Sequence, residues 1–158
     1  MAQQPFKIIE NSEKKLPCNI EAEQAVIASI LVSNDIYDEI SPILDSQKFF
    51  DPIHAKLYET IEKLISKGLL ANPITLKNHF ENNEGLKELG GQEYIIKITK
   101  FSTSTKQAVD YANIVQEMHL RRELIKISQS VLDEASTNND LGSTGETIIQ
   151  NAEKSLFD

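Results

Sequence analysis

The chain has little of what a site for chemistry is usually built from. Its 158 residues include no tryptophan, one cysteine and three histidines. A single cysteine, Cys18, excludes an internal disulfide, and without a positive neighbour it reads as an inert thiol. His54, His79 and His119 are not spaced from one another, or from Cys18, as metal ligands are, so no metal site is expected. Glycine is scarce, and neither a Gly-x-x-x-x-Gly-Lys-Ser/Thr phosphate loop nor a Gly-x-Ser-x-Gly elbow is present. The expectation is therefore no catalytic residue and no cofactor-binding residue. No apolar run approaches the roughly 20 residues that span a bilayer. The start, Met1 to Glu10, lacks the apolar core of a signal peptide. These absences point to a cytoplasmic, non-catalytic protein with no membrane partner.

Basic charge is lacking too. The formal net charge is −8, from 16 Lys and Arg against 24 Asp and Glu. Residues 1–104 carry 11 basic and 15 acidic side chains, and residues 105–158 carry 5 and 9. Neither half offers the basic face that phosphate neutralisation needs. Lys14, Lys15 and the Arg121–Arg122 pair are the candidates for a local patch, and pairs this small read first as solvated charges. An acidic balance suits a basic protein partner instead.

What is present is helical periodicity. Residues 1–15 are polar and aperiodic, and a mobile tail is expected there. Asn19 can cap a helix to about Val32, with Val26, Ile27, Ile30 and Leu31 as its apolar stripe. Within it, Glu21-Ala22-Glu23-Gln24 reads as an amphipathic first turn whose alanines permit close packing, with the carboxylates on the polar face. A second short helix follows Asn34, and a turn from Ser41-Pro42 closes at Phe49-Phe50. Asp51-Pro52 is a cap followed by proline at the first helical position, and Gly68 stops that helix. Asn72-Pro73-Ile74-Thr75 opens another, which Gly85 is expected to end. Gly90-Gly91 reads as a helix stop before a helix carrying Tyr94, Ile95 and Ile98. Tyr94 to Ile98 is the one competitor for a strand.

From Thr105 to Ala135 the pattern runs without proline or glycine, longer than an average globular helix. A polar break from Ser136 to Gly145 follows, and Ser143-x-x-Glu146 reads as the capping box of a last helix. Ile148, Ile149, Ala152, Leu156 and Phe157 form that helix's apolar face. The expected fold is all-α: a globule of about five to six short helices over residues 16–104, then an antiparallel helical hairpin over 105–158. The long helix carries Ile114, Val115, Met118, Leu120, Leu124, Ile125, Ile127, Val131 and Leu132, more apolar surface than one partner helix covers. The excess must meet the globule, a second copy or another protein. Leu124, Ile125, Val131, Ile148 and Ile149 are the candidate oligomerisation and partner residues, on that surface or beneath it.

Several motifs, in order, resemble a known family. Pro17-x-x-x-Glu21-Ala22-Glu23-Gln24 resembles the opening of DnaB-type replicative helicases. Phe49-Phe50 with His54 is similar to the family's next core helix. Asn72-Pro73-Ile74-Thr75-Leu76 resembles its Asp-x-x-Thr-Leu helix start, although Asn-Pro replaces the usual Asp and aliphatic residue. Gly90-Gly91-x-x-Tyr94 resembles its Gly-Gly-x-x-Tyr-Leu. Tyr111-Ala112, then Arg121-Arg122-Glu123-Leu124, is similar to the run into its linker hairpin, and Ala152-Glu153-x-x-Leu156-Phe157 to the hairpin's end. The resemblance covers about residues 16–158.

The resemblance implies an N-terminal domain that takes no part in catalysis. Such domains pair through their hairpins, and three pairs form a collar on a hexameric motor. The collar receives the C-terminal domain of primase, and a helicase loader is a further candidate partner. ATP, magnesium and DNA belong to a RecA-like motor domain into which the family's chains continue. The expectation is that this chain is an excised or truncated piece. Two alternatives remain at this point: the helicase-binding C-terminal domain of primase, and a free-standing helical regulator associated with DNA.

Overall fold

The computed structural model describes residues 16–80, 83–137 and 144–158, and every regular element among them is helical. Helix α1 (Ile20–Val32) is the centre of the molecule. Its cap is Asn19, whose side chain accepts from the Ala22 N–H at 2.9 Å. From Ala22 to Leu31 only Gln24 escapes burial. A helix buried on all sides has to be wrapped by the others, and here the wrapping comes chiefly from the long helix at 105–136 and the 3₁₀ turn Thr99–Phe101, with smaller shares from the helices at 52–66 and 92–98.

The wrapping elements start where local capping chemistry puts them. After a 3₁₀ turn (Asn34–Ile36) and the short α2 (Tyr37–Ile40), α3 (Pro52–Ser66) begins at Asp51, whose carboxylate accepts from the Ile53 N–H at 2.8 Å. Gly68 ends it at a φ of 71°. Helix α4 (Pro73–Phe80) opens on a reciprocal cap. Asn72 accepts from the Ile74 and Thr75 N–H groups at 2.9 and 3.0 Å, and the Thr75 hydroxyl accepts from the Asn72 N–H at 2.9 Å. Helices α5 (Glu84–Glu88) and α6 (Gln92–Ile98) flank Gly90 and Gly91, both at positive φ. The stretch from Tyr94 to Ile98 is thus helix, not strand.

Gly85 corrects one expectation. It does not end α4 but lies in the first turn of α5, capped by Asn83. A Cβ there would sit 2.9 Å from Ile53 Cδ1, so glycine serves close packing of α5 on α3 rather than a left-handed stop.

Helix α7 (Thr105–Ser136) runs for 32 residues, roughly 48 Å at 1.5 Å per residue. Its first half belongs to the core: Ala108, Ala112 and Val115 are buried with α1. The last buried residue of α7 is Arg122. Helix α8 (Gly145–Phe157) packs on the second half of α7. Its cap is Thr144, whose hydroxyl accepts from the Thr147 N–H at 3.2 Å. Ser143, the expected cap, lies outside the described residues, as do the tail at 1–15 and Lys14 and Lys15. No helix of the described residues is long and apolar enough to cross a membrane.

Candidate functional site

The signature residues of the sequence divide between a closed polar network and an open apolar arm. The network joins α1, α3 and α6. Glu23 Oε2 accepts from the Phe50 N–H at 2.8 Å, and Oε1 from the Asp51 N–H at 3.2 Å. His54 Nδ1 lies 2.9 Å from Glu23 Oε1, and His54 Nε2 lies 2.6 Å from the Tyr94 hydroxyl. The Gln24 amide donates to the same hydroxyl at 3.3 Å. A carboxylate only accepts, so Nδ1 carries the hydrogen toward Glu23. Because Gln24 donates to the Tyr94 oxygen, the phenol hydrogen is free for Nε2. Burial pushes the Tyr94 phenol above its ordinary value.

This corrects the reading of the first helix. Glu23 is 1% exposed and His54 fully buried, so the second carboxylate of Glu-Ala-Glu-Gln faces the core, whereas Glu21 faces water. A buried carboxylate persists only when its oxygens are satisfied, and here backbone and imidazole satisfy them. The signal was available: Ile27 and Ile30 follow Glu23 at four and seven residues, the spacing of one helix face. Glu23 and His54 are closed to solvent and Tyr94 is half-buried. The network holds three helices together. No group of His, Cys, Asp and Glu that could hold a metal occurs among the described residues.

Other signature residues are structural as well. Ala22 is buried, Tyr111 packs against the core, and the Gly91 N–H bonds the Leu86 carbonyl at 2.7 Å to close the turn before α6. Glu123 pairs with Lys126 at 3.2 Å on the helix surface. Arg122 is 6% exposed. Its Nη1 donates to the Pro17 carbonyl and its Nη2 to the Lys48 carbonyl, each at 2.8 Å, and its guanidinium lies 5.4 Å from the Phe50 ring centre. Arg121 pairs with Glu117 at 2.9 Å. The Arg121–Arg122 pair therefore offers no free basic patch for nucleic acid.

Beyond Arg122 no side chain of α7 is buried. The arm formed by residues 123–158 has a thin seam of its own. Ile148 is buried in it, with Ile127, Val131 and Ala152 half-buried alongside. Of the five candidate partner residues, Ile148 and Val131 thus lie beneath the surface and hold the two helices together. Leu124, Ile125 and Ile149 lie on it, at 51%, 41% and 62% exposure. Leu120, Leu132, Leu156 and Phe157 are exposed as well. Leu120 and Leu124 stack one turn apart on α7, and Ile149 and Leu156 two turns apart on α8. Residues 123–158 carry seven acidic side chains and two basic ones, so more than half of the chain's net negative charge falls in this segment of the sequence.

The comparisons with known proteins agree on one family. The DnaB-like helicase N terminal domain matches residues 15–117. Over 143 residues the chain is 38% identical to the replicative DNA helicase DnaB of Rickettsia felis, covering 90% of this chain and 29% of that protein. It is 28% identical over 154 residues to DnaB of Buchnera aphidicola, covering 96% and 33%. The chain thus spans about a third or less of the length of these relatives. The crystal structure of the N-terminal domain of DnaB helicase from Mycobacterium tuberculosis superposes with a TM-score of 0.77 at 25% identity, covering 91% of this chain and 99% of that one. A DnaB-like replicative helicase, in a structure that also describes its interactions with primase, superposes at 0.67 and 26% identity, covering 88% and 31%.

Proposed function

We propose a function that starts from kinship: this chain belongs to the DnaB-like helicase N terminal domain family, and its arm is the surface on which it assembles. Two copies pair through their arms, three pairs form a collar, and the collar receives the C-terminal domain of primase. Joined to a motor domain that binds ATP and magnesium, it would belong to an ATP-dependent DNA helicase, with a loader as a further partner. The chain itself contributes no catalytic group. Kinship also sets aside the reading as primase's own helicase-binding domain.

One observation carries the proposal. Past Arg122 the arm leaves Leu124, Ile125, Ile149 and Leu156 in water, around a seam that buries little more than Ile148. An apolar surface of this kind marks an interface. The acidic rim favours a partner with complementary charge and accelerates encounter at low salt. The test is a calorimetric titration of the chain with the C-terminal domain of its cognate primase at two salt concentrations. Saturable heat, with faster association at low salt in a parallel kinetic measurement, is expected. Absence of binding at about 100 μM, well above the range of specific complexes, with both proteins folded, would refute the docking role.

A further inference from the structure

We infer that Arg122 is the joint that fixes the direction of the arm, so that pairing depends on this residue although it touches no partner. The inference rests in part on the pairing proposed above. Three observations lead to it.

Arg122 is a buried cation, yet among the described residues no carboxylate pairs with it. Its hydrogen-bond acceptors are two backbone carbonyls, Pro17 and Lys48, each at 2.8 Å. A buried charge held only by backbone dipoles and a ring face is costly to keep. What this arrangement achieves is geometry. The planar guanidinium has its donors fixed in one fork, so it ties the chain entering α1 and the turn Ser46–Lys48 to one point on α7.

Its place along α7 is the second observation. Ala108, Ala112, Val115 and Arg122 recur at intervals of four, three and seven residues, which is one continuous buried stripe. Arg122 is the last residue of that stripe. Beyond it no side chain of α7 is buried, and Leu16 lines one open groove with Ile125 and Gln129. The arm is therefore a lever whose angle is set at its last buried residue.

Third, the contact is tightly specified. Phe50 presents its ring to the guanidinium, and the Phe50 N–H is itself bound to Glu23. The joint thus leans on the buried Glu23–His54–Tyr94 network, which fixes the segment carrying Phe50. Lysine at position 122 would keep the charge but has no planar fork to span two carbonyls.

The experiment measures the angle itself. Spin labels are placed at Lys67→Cys in the body and Gln150→Cys in the arm, in the full chain with Cys18→Ser. Labelled chains are diluted into excess unlabelled protein, so that only intramolecular distances are read. The parent should give one narrow distance distribution. Arg122→Met should roughly double its width with helical circular dichroism retained, because an unfixed element samples a range of positions. Arg122→Lys should broaden it as well, and it decides the matter if the methionine variant does not fold. A parent-like narrow distribution in a folded variant would overturn the joint. Sedimentation of the same variants reads pairing separately. A broad distribution with pairing unchanged upholds the joint and overturns the dependence of pairing on it, whereas loss of pairing in Leu124→Glu, whose joint is intact, tests the arm's role in assembly separately.

Discussion

Glu23 Oε1 and His54 Nδ1 lie 2.9 Å apart, 31 residues distant in sequence and closed to water on all sides. This pair links the opening motif of the chain to the helix after Asp51-Pro52. Tyr94 completes the link to α6 through His54 Nε2. Removing one partner strands the others in a dry environment. Glu23→Ala leaves the Phe50 and Asp51 N–H groups and His54 Nδ1–H without their acceptor and should therefore destabilise the domain by about 3–5 kcal/mol, at about 1–3 kcal/mol for each stranded donor. Tyr94→Phe, which removes only the hydroxyl, should cost about 1–2 kcal/mol. Denaturant melts of the two variants check this, and equal small losses would contradict the network.

Gly85 offers a test of packing in place of conformation. Its φ is not positive, so alanine meets no backbone strain, but the new Cβ would sit 2.9 Å from Ile53 Cδ1. Gly85→Ala should cost about 0.5–1.5 kcal/mol, the strain of turning the free end of the half-buried Ile53 side chain off its rotamer. Restoring the parent's stability with Ile53→Val in the same chain would identify the clash as the cause. A Gly85→Ala chain as stable as the parent would contradict it.

His119 gives the fold a pH dependence of known sign. Burial holds its imidazole below the ordinary histidine value, with Arg122 and Lys48 pushing the same way against Glu123 and Asp45. The folded state thus binds the proton less readily than the unfolded chain. Stability from this group is full above the unfolded value, near pH 6.5, and is lost as pH falls through the folded value. The drop in melting midpoint between about pH 7.5 and about pH 5.5 should be smaller in His119→Gln than in the parent. Equal drops would contradict the assignment.

Much of the fold was legible because caps are local. Asn19, Asp51 with Pro52, Gly68 and the Asn72–Thr75 box all act within a few residues, and each stands where its chemistry predicts. The extent of α7 followed from an uninterrupted helical pattern. The buried roles of Glu23 and Arg122 were not read, although both sit on apolar faces. A charged side chain is first assigned to the surface, and the acceptors of Arg122 are 105 and 74 residues away. Gly85 was misread for the same reason: its constraint is Ile53, a tertiary neighbour. At the candidate surface, spacing marked Leu124, Ile125 and Ile149, but it could not separate them from Val131 and Ile148. All five repeat at helical intervals, and only the seam between α7 and α8 divides them.

The division between seam and surface suggests the control for any test of assembly. A charge at Ile148 or Val131 would open the hairpin itself. A charge at Leu124 or Ile149 leaves the seam closed and alters only the outer face. Ile148→Glu should thus lower helical circular dichroism in the arm, while Leu124→Glu leaves it at the parent level. The reverse pattern would mean that seam and surface are misassigned.

The most direct test of the arm as an assembly surface is sedimentation equilibrium of the chain over a dilution series, beside Leu124→Glu and Ile149→Glu. The parent should show reversible association. Its apolar contacts would contribute about 1.5–3 kcal/mol for each side chain that becomes fully buried. Both variants should sediment as monomers with unchanged helicity. A parent that remains a monomer at the highest concentration, or variants that associate as strongly as the parent, would contradict the account.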